Sequence, residues 1–320
     1  MKLTNQIVVD EAKSIGFNLV GFADASELVD DTNHLKKWLD KKYQAGMKYM
    51  ERNIEKRKDV SEILENAKTV ISLAVNYYTN HKHSGNPNKG KISRYAWGKD
   101  YHLLIWDMLE KLETSLKKIE PDFECKSYVD TGPVMDKAWA VKAGIGWMGK
   151  HSNVINRKYG SWFFIANIIT NYEFDYFERQ QDFCGSCKAC IEACPTDAIV
   201  QPYVVDSNKC ISYLTIENKG EIDNKFAGKF EGWLFGCDIC QDVCPWNKKF
   251  SQNTVLKEFQ PVNGKTELNL DEVLNMENKD FKTRFAQSPV LRTKLKGLKR
   301  NAEFLKKPVS DAANNNQINS

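Results

Sequence analysis

The sequence predicts an α/β (α+β) N-terminal domain, a compact cysteine-rich unit and a short helical C-terminal segment. Three observations carry that reading. Apolar, β-branched runs alternate with amphipathic stretches over the first half of the 320-residue chain. Eight of the nine cysteines fall between Cys184 and Cys244. After them, apolar residues recur at helical spacing among lysines and arginines. The boundaries expected are 1–175, 176–250 and 251–310, with a polar, disordered tail at 311–320 (DAANNNQINS).

Residues 6–15 predict a helix closed by Gly16, and 18–23 (NLVGFA) a strand. Residues 69–78 (TVISLAVNYY) are apolar enough for a strand buried on both faces. The Gly-, Pro-, Asn- and Lys-rich stretch 81–91 reads as an exposed loop. Leu104, Met108, Leu112 and Leu116 repeat every four residues and place a helix over about 100–119. Phe123, Cys125, Ser127 and Val129 alternate as in a half-buried strand ending at Asp130. A short helix over 135–143, a glycine-rich turn and the strand 161–169 (SWFFIANII) complete the unit.

Composition excludes several classes. Hydrophobic residues at 42% and charged residues at 28% fit a soluble globular protein. The start, MKLTNQ, reaches Asp10 and Glu11 before any apolar stretch, so no signal peptide is expected. No apolar run approaches the roughly 18 residues a membrane span needs. The expected location is cytoplasmic, where cysteines more often bind metal than form disulfides. Charge is uneven: nine basic residues and only Glu303 lie between Lys282 and Lys307. The net charge there is +8, on a chain whose total is +4. Such a segment suits nucleic-acid phosphates, with Lys294, Lys296, Lys299 and Arg300 as candidate contacts; a solvated helix face is the alternative.

Cys184, Cys187, Cys190 and Cys194, followed by Pro195, have the spacing of a bacterial ferredoxin. Three thiolates on a tight loop reach three corners of one cubane, and the fourth points to a second. The complement is Cys210, then Cys237, Cys240 and Cys244, followed by Pro245. Crossing the fourth cysteines assigns one [4Fe–4S] cluster to Cys184, Cys187, Cys190 and Cys244. The other falls to Cys194, Cys210, Cys237 and Cys240. The middle unit is thus a bacterial-type two-[4Fe–4S] ferredoxin-like domain with one detached ligand, Cys210. Two structural zinc sites are the alternative, but zinc has no need of this order with a proline after each last cysteine. Cys125 is expected to be a small buried hydrophobe.

Gly144, Gly146 and Gly149 match a dinucleotide fingerprint, but they follow a helical stretch rather than a strand. With Lys150 they nearly form a phosphate-binding loop, except that His151 replaces the Ser or Thr. What remains is a turn whose backbone can approach a flat or anionic ligand closely. Asp100 and His102 begin a motif by which some proteins ligate cobalamin, but Ile105 stands where its glycine belongs. Asp130, before Thr131-Gly132-Pro133, is placed to act as a partly buried general acid; a helix cap or turn residue is the alternative.

Taken together, Arg94–His102, Val129–Val134, Gly144–Ser152, Cys210–Thr215 and Gly236–Gln241 resemble the epoxyqueuosine reductases, over roughly residues 1–300. The resemblance implies a cobalamin-binding N-terminal domain beside the two-cluster domain, as in the cobalamin-containing reductive dehalogenases. It implies reduction of the epoxide of epoxyqueuosine at the wobble position of tRNA, giving queuosine. Asp130 matches the family's proton donor and also borders the corrinoid, and the eight cysteines match its cluster ligands. Arg57, Lys150, His151, Ser212 and Asp238 fall in segments that line the corrinoid. Some members carry a cysteine at the position of Ser93, and some continue into C-terminal repeats that bind tRNA. An external electron donor and a monomer are expected. The rival readings are a reductive dehalogenase, which should carry a twin-arginine export signal, and a non-catalytic iron–sulfur electron carrier.

Overall fold

The computed structural model describes residues 2–262 and 264–307; the expected disordered tail at 311–320, and 308–310 before it, lie outside the described residues. The main sheet has the strand order Leu19–Asp24, Thr69–Asn76, Phe163–Thr170, Cys125–Tyr128. Every neighbouring pair is antiparallel, so this unit is α+β. The crevice rule for parallel sheets therefore does not place Asp130; the turn after Tyr128 does.

The Thr69–Asn76 strand is buried at every position because helices cover both faces. Ile71, Leu73 and Val75 join Phe22, Met108, Leu112 and Leu116 in a core under the Asn5–Ile15 and Tyr101–Ile119 helices. Val70 turns the other way, toward Trp139 and Ala143 around the Asp136–Lys142 helix. The Tyr101–Ile119 helix starts where the Asp100 carboxylate accepts the His102 backbone N–H at 3.0 Å.

A second sheet joins Lys89–Ile92 in parallel to Trp233–Phe235 and antiparallel to Glu267–Asn269. This corrects the loop expected over 81–91, whose last residues are a strand. Lys89 keeps its charge at the edge on Glu267, and Lys91 lies over the Trp233 ring. The sheet draws one strand from each of the three expected units. Ile92, Trp97, Leu234, Phe235, Leu268, Leu298 and Ala302 form its core.

The C-terminal segment is less helical than expected. It contains the Glu267–Asn269 strand besides the Leu270–Asn275, Asn278–Arg284 and Lys294–Lys306 helices. In the cysteine-rich unit, the short Ala189–Glu192 and Ile239–Asp242 helices pack on each other. Among the described residues, no helix is long and apolar enough to cross a membrane.

Candidate active site

A cavity of about 410 Å³ opens where the main sheet meets the cysteine-rich unit. Cys194, Cys210, Cys237 and Cys240 all line it, together with Tyr77, Tyr95, Phe163 and Phe164. The other four cluster-motif cysteines lie outside it. Cys184 and Cys244, sixty residues apart, pack in one apolar group with Trp147, Phe183 and Trp246.

Mutual electrostatics sort the thiols. Burial, then its neighbours Cys184, Cys244 and Cys187, push the Cys190 thiol up to about 11. Burial also raises Cys240, helped by Cys210, Cys190 and Cys194, and raises Cys237, helped by Cys240 and Cys210. Cys190 thus neighbours Cys184, Cys187 and Cys244, and Cys240 neighbours Cys210, Cys194 and Cys190. Backbone N–H groups oppose the rise. Ser212 and Tyr213 donate to Cys210, Ile239 to Cys237, and Trp246 and Asn247 to Cys244; separately, the Ala198 N–H donates to the Cys194 sulfur at 3.3 Å. Such donors favour thiolate and tune the potential of whatever it ligates.

The other expected site residues separate into two kinds. His151 and Ser212 line the cavity. The His151 Nδ1 accepts the Asn153 N–H at 3.2 Å, and its buried Nε2 has no partner. Burial, then the nearby Lys137, hold its pKa down at about 4. A neutral ring whose Nδ1 accepts carries its proton on Nε2, so His151 holds an unpaired buried donor beside the cavity it lines.

Lys150, Asp238 and Arg57 do not line the cavity and are committed to other partners. Lys150 donates to the carbonyls of Gly185 and Cys187, pinning the first cysteine loop. Asp238 accepts from the Ser93 hydroxyl and from the Arg94 N–H at 2.8 Å. Burial pushes the Asp238 carboxyl up to about 6; the Arg94 cation opposes the rise and the Asp242 charge adds to it. Gly236 lets these strands touch: its φ is +70°, and a Cβ there would sit 2.4 Å from that of Ser93. Arg57 is buried and donates to the carbonyls of Arg52 and Tyr49, closing the Lys48–Glu51 turn.

Asp130 does not itself line the cavity but stands next to it, near the lining Lys137 and, through Tyr101, the lining Phe164. Its side chain is 66% exposed, not partly buried as expected, and its φ of +56° is one that aspartate tolerates in turns. The Tyr101 hydroxyl donates to its Oδ2 at 2.6 Å, and the Tyr101 ring stacks on the cavity-lining Phe164 at 4.1 Å. Tyr49 and Arg292 are its electrostatic neighbours, and Arg292 is clasped by Glu217 at 2.7 and 3.2 Å.

Two side chains in the short helix escaped the sequence reading. Lys137 lines the cavity, ringed by protein yet solvent-accessible, and donates to Ser152 O and Asn153 Oδ1 at 2.8 and 2.9 Å. Burial lowers its pKa, against Asp130 and Cys240. Asp136 accepts from Asn167 at 2.7 Å, and burial, then the Asp130 charge, push its pKa up to about 7. Only their position after the Gly-Pro turn hinted at them.

Two expectations are corrected. The glycine-rich turn serves internal packing: a Cβ on Gly146 would lie 2.1 Å from the Ile155 carbonyl oxygen. The basic segment is partly consumed by the fold. Arg300 donates to the carbonyls of Leu214, Asn218 and Gly220 at 2.7–2.8 Å, Arg284 pairs with Glu272, and Lys306 with Asp271. Lys282, Lys294 and Lys296 are exposed. Cys125 packs half-buried against the main core, and burial, then Glu113, push its thiol up to about 12.

A family model for a 4Fe-4S double cluster binding domain matches residues 183–247. Such a domain beside an aromatic cavity, with a carboxylate at the rim, defines an iron–sulfur oxidoreductase. A second model, for epoxyqueuosine reductase, matches residues 57–131. The chain is 45% identical over 287 residues to an epoxyqueuosine reductase of Synechocystis, covering 89% of this chain and 99% of the relative. Its fold is similar to a crystal structure of epoxyqueuosine reductase with an epoxyqueuosine-modified tRNA-Tyr stem loop. There the TM-score is 0.88 at 34% identity, over 94% of this chain and 80% of the other. A Bacillus subtilis epoxyqueuosine reductase, with its catalytic aspartate loop swung out of the active site, also scores 0.88, at 32% identity and the same coverage. The chain belongs to the epoxyqueuosine reductase family.

Proposed function

We propose that this chain reduces the epoxide of epoxyqueuosine in tRNA to queuosine, in the cytoplasm, with two [4Fe–4S] clusters and a cobalamin. The observation that carries the reading is the cavity wall formed by Cys194, Cys210, Cys237 and Cys240, with Asp130 at the rim. The crossed assignment holds one cluster on these four thiols and the other on Cys184, Cys187, Cys190 and Cys244. An external donor would supply the electrons, and Cys190 and Cys240 are the thiols whose charges interact between the two sets.

The cavity fits a corrinoid chemically. Its aromatic lining suits a flat ring, and the unpaired His151 donor suits the amide oxygens of the ring's side chains. His151 and Ser212, which line the cavity, would hold the group, and Asp130 would border it. Lys150, Asp238 and Arg57 hold the surrounding loops. Bound there, cobalamin supplies the reducing chemistry at the epoxide carbons.

The chain's own residues supply position and protons. Asp130, held by Tyr101, protonates the epoxide oxygen. Arg292 sets positive charge near Asp130, suited to the phosphates flanking the wobble nucleotide. The test is anaerobic reconstitution with iron, sulfide and cobalamin, followed by mass spectrometry of an epoxyqueuosine-modified stem loop. The reading predicts loss of one oxygen from the modified nucleoside, only when both cofactors are loaded. An unchanged nucleoside would refute it.

A further inference from the structure

Converting an epoxide to an alkene consumes two electrons and two protons: both C–O bonds break, a C=C bond forms, and the oxygen leaves as water. Asp130 holds one proton at a time, so it must be reloaded within each turnover. With tRNA over the rim, bulk water is a poor source. The geometry beneath Asp130 supplies another. His102 Nε2 is buried, has no hydrogen-bond partner, and lies 3.7 Å from Asp130 Oδ2. Its Nδ1 is 2.8 Å from Asp100 Oδ1. The ring stacks on Tyr101, centroids 4.1 Å apart, and Tyr101 donates to the same Asp130 oxygen.

Asp100 is fixed in turn, because its other task is to cap the helix that carries His102. Its backbone N–H also donates to the Gln287 carbonyl at 2.6 Å. Asp100 therefore orients the ring and favours a proton on Nδ1, which leaves the Nε2 proton free to move. The arrangement is that of a carboxylate–imidazole pair aimed at a third group.

We propose that His102, oriented by Asp100, is the proton relay that reloads Asp130; the proposal rests on the epoxyqueuosine reductase reading. The cationic ring passes its Nε2 proton to Asp130 Oδ2 and becomes neutral, keeping the Nδ1 proton on Asp100. Rotation of the Asp130 carboxyl about its Cβ–Cγ bond turns the loaded oxygen toward the substrate. Once tRNA leaves, Asp130, whose side chain is 66% exposed, takes up solvent protons and returns one to Nε2, which recharges the ring for the next turnover. The electrons come from the clusters, refilled by a soluble one-electron donor. His102 acts through Asp130 and touches neither substrate nor cofactor.

The experiment uses the reconstituted holoenzyme and the modified stem loop. His102→Ala should lower turnover by about tenfold or more, while Asp130 itself keeps part of the 10²–10⁴-fold a positioned acid contributes. Cluster content and the corrinoid absorption spectrum should stay unchanged. Added imidazole should restore much of the loss, and the same concentration of sodium chloride should not. Asp100→Asn keeps the helix cap but loses the charge that orients the ring, and should fall between wild type and His102→Ala. If His102→Ala does not fold or load, His102→Gln replaces it: it keeps a donor near Asp130 but cannot relay, and should show the same loss. Turnover within twofold of wild type in the variant that loads would overturn the relay, as would a loss in His102→Ala that imidazole leaves untouched. Wild type that makes no queuosine would instead sink the functional reading and the relay with it, which separates the two failures.

Discussion

Asp130 and Asp136 are six residues apart in sequence and live under opposite conditions. Asp130 is exposed in a left-handed turn, a conformation its short polar side chain tolerates. Asp136 is walled in, and its pKa rises from 3.8 to about 7, first by burial and then by the Asp130 charge. A carboxyl raised on folding binds protons more tightly in the native state. Stability is therefore greatest below about pH 4 for this group and falls as pH climbs through about 7. At about 1.4 kcal/mol per pKa unit the loss is a few kcal/mol at most. Asp136→Asn keeps the acceptor for Asn167 and removes the ionisation. The difference in melting temperature between variant and wild type should be small near pH 4 and grow in favour of the variant up to about pH 7.5. A difference that does not change with pH would contradict this. The motif around Asp130 was legible because Gly132 and Pro133 mark a turn locally. Lys137, Asp136 and the unpaired His102 were not, because their roles depend on what the fold packs around them.

At the level of elements, the Lys294–Lys306 helix shows why charge counting overshoots. Leu295, Leu298, Ala302 and Phe304 face inward, and Arg300 follows them, its guanidinium satisfying carbonyls at the end of the Ile211–Ile216 helix and just beyond it. Arg300→Ala leaves those acceptors unpaired and should cost about 2 kcal/mol or more of stability. The slope of tRNA affinity against salt should not change. Replacing Lys282, Lys294 and Lys296 by Ala should instead flatten that slope, by about one unit for each phosphate no longer neutralised, with little change in melting temperature. An Arg300 variant that melts like wild type, or a triple lysine variant with an unchanged slope, would reverse these assignments. The Lys89–Ile92 strand was hidden for a related reason. Its partners at Trp233–Phe235 and Glu267–Asn269 lie more than a hundred residues away, while its own sequence is loop-like.

At the scale of the whole molecule, the second sheet stitches all three sequence units together and fixes the cysteine-rich unit against the cavity. The helices were legible from period and caps, and the two-cluster cysteine domain from ligand spacing. The antiparallel order of the main sheet was not, because alternation of strands and helices does not specify direction. The crossed grouping makes a prediction of its own. Cys194→Ala should damage the cluster at the cavity wall and leave the Cys184, Cys187 and Cys190 cluster largely intact, as read by iron content and EPR. Loss of only the outer cluster would rule out the crossing.

The central claim is that cavity, inner thiols and Asp130 form one reaction centre, and Asp130→Asn tests it most directly. The amide keeps the size and hydrogen bonding of the carboxyl but has no proton to give. Cluster content, corrinoid spectrum, stem-loop binding and queuosine formation should be measured on one preparation. The account predicts intact clusters, intact corrinoid and tRNA binding, and turnover lower by about 10²–10⁴-fold. Turnover within about threefold of wild type, far below that range, would contradict it and leave Asp130 a turn residue.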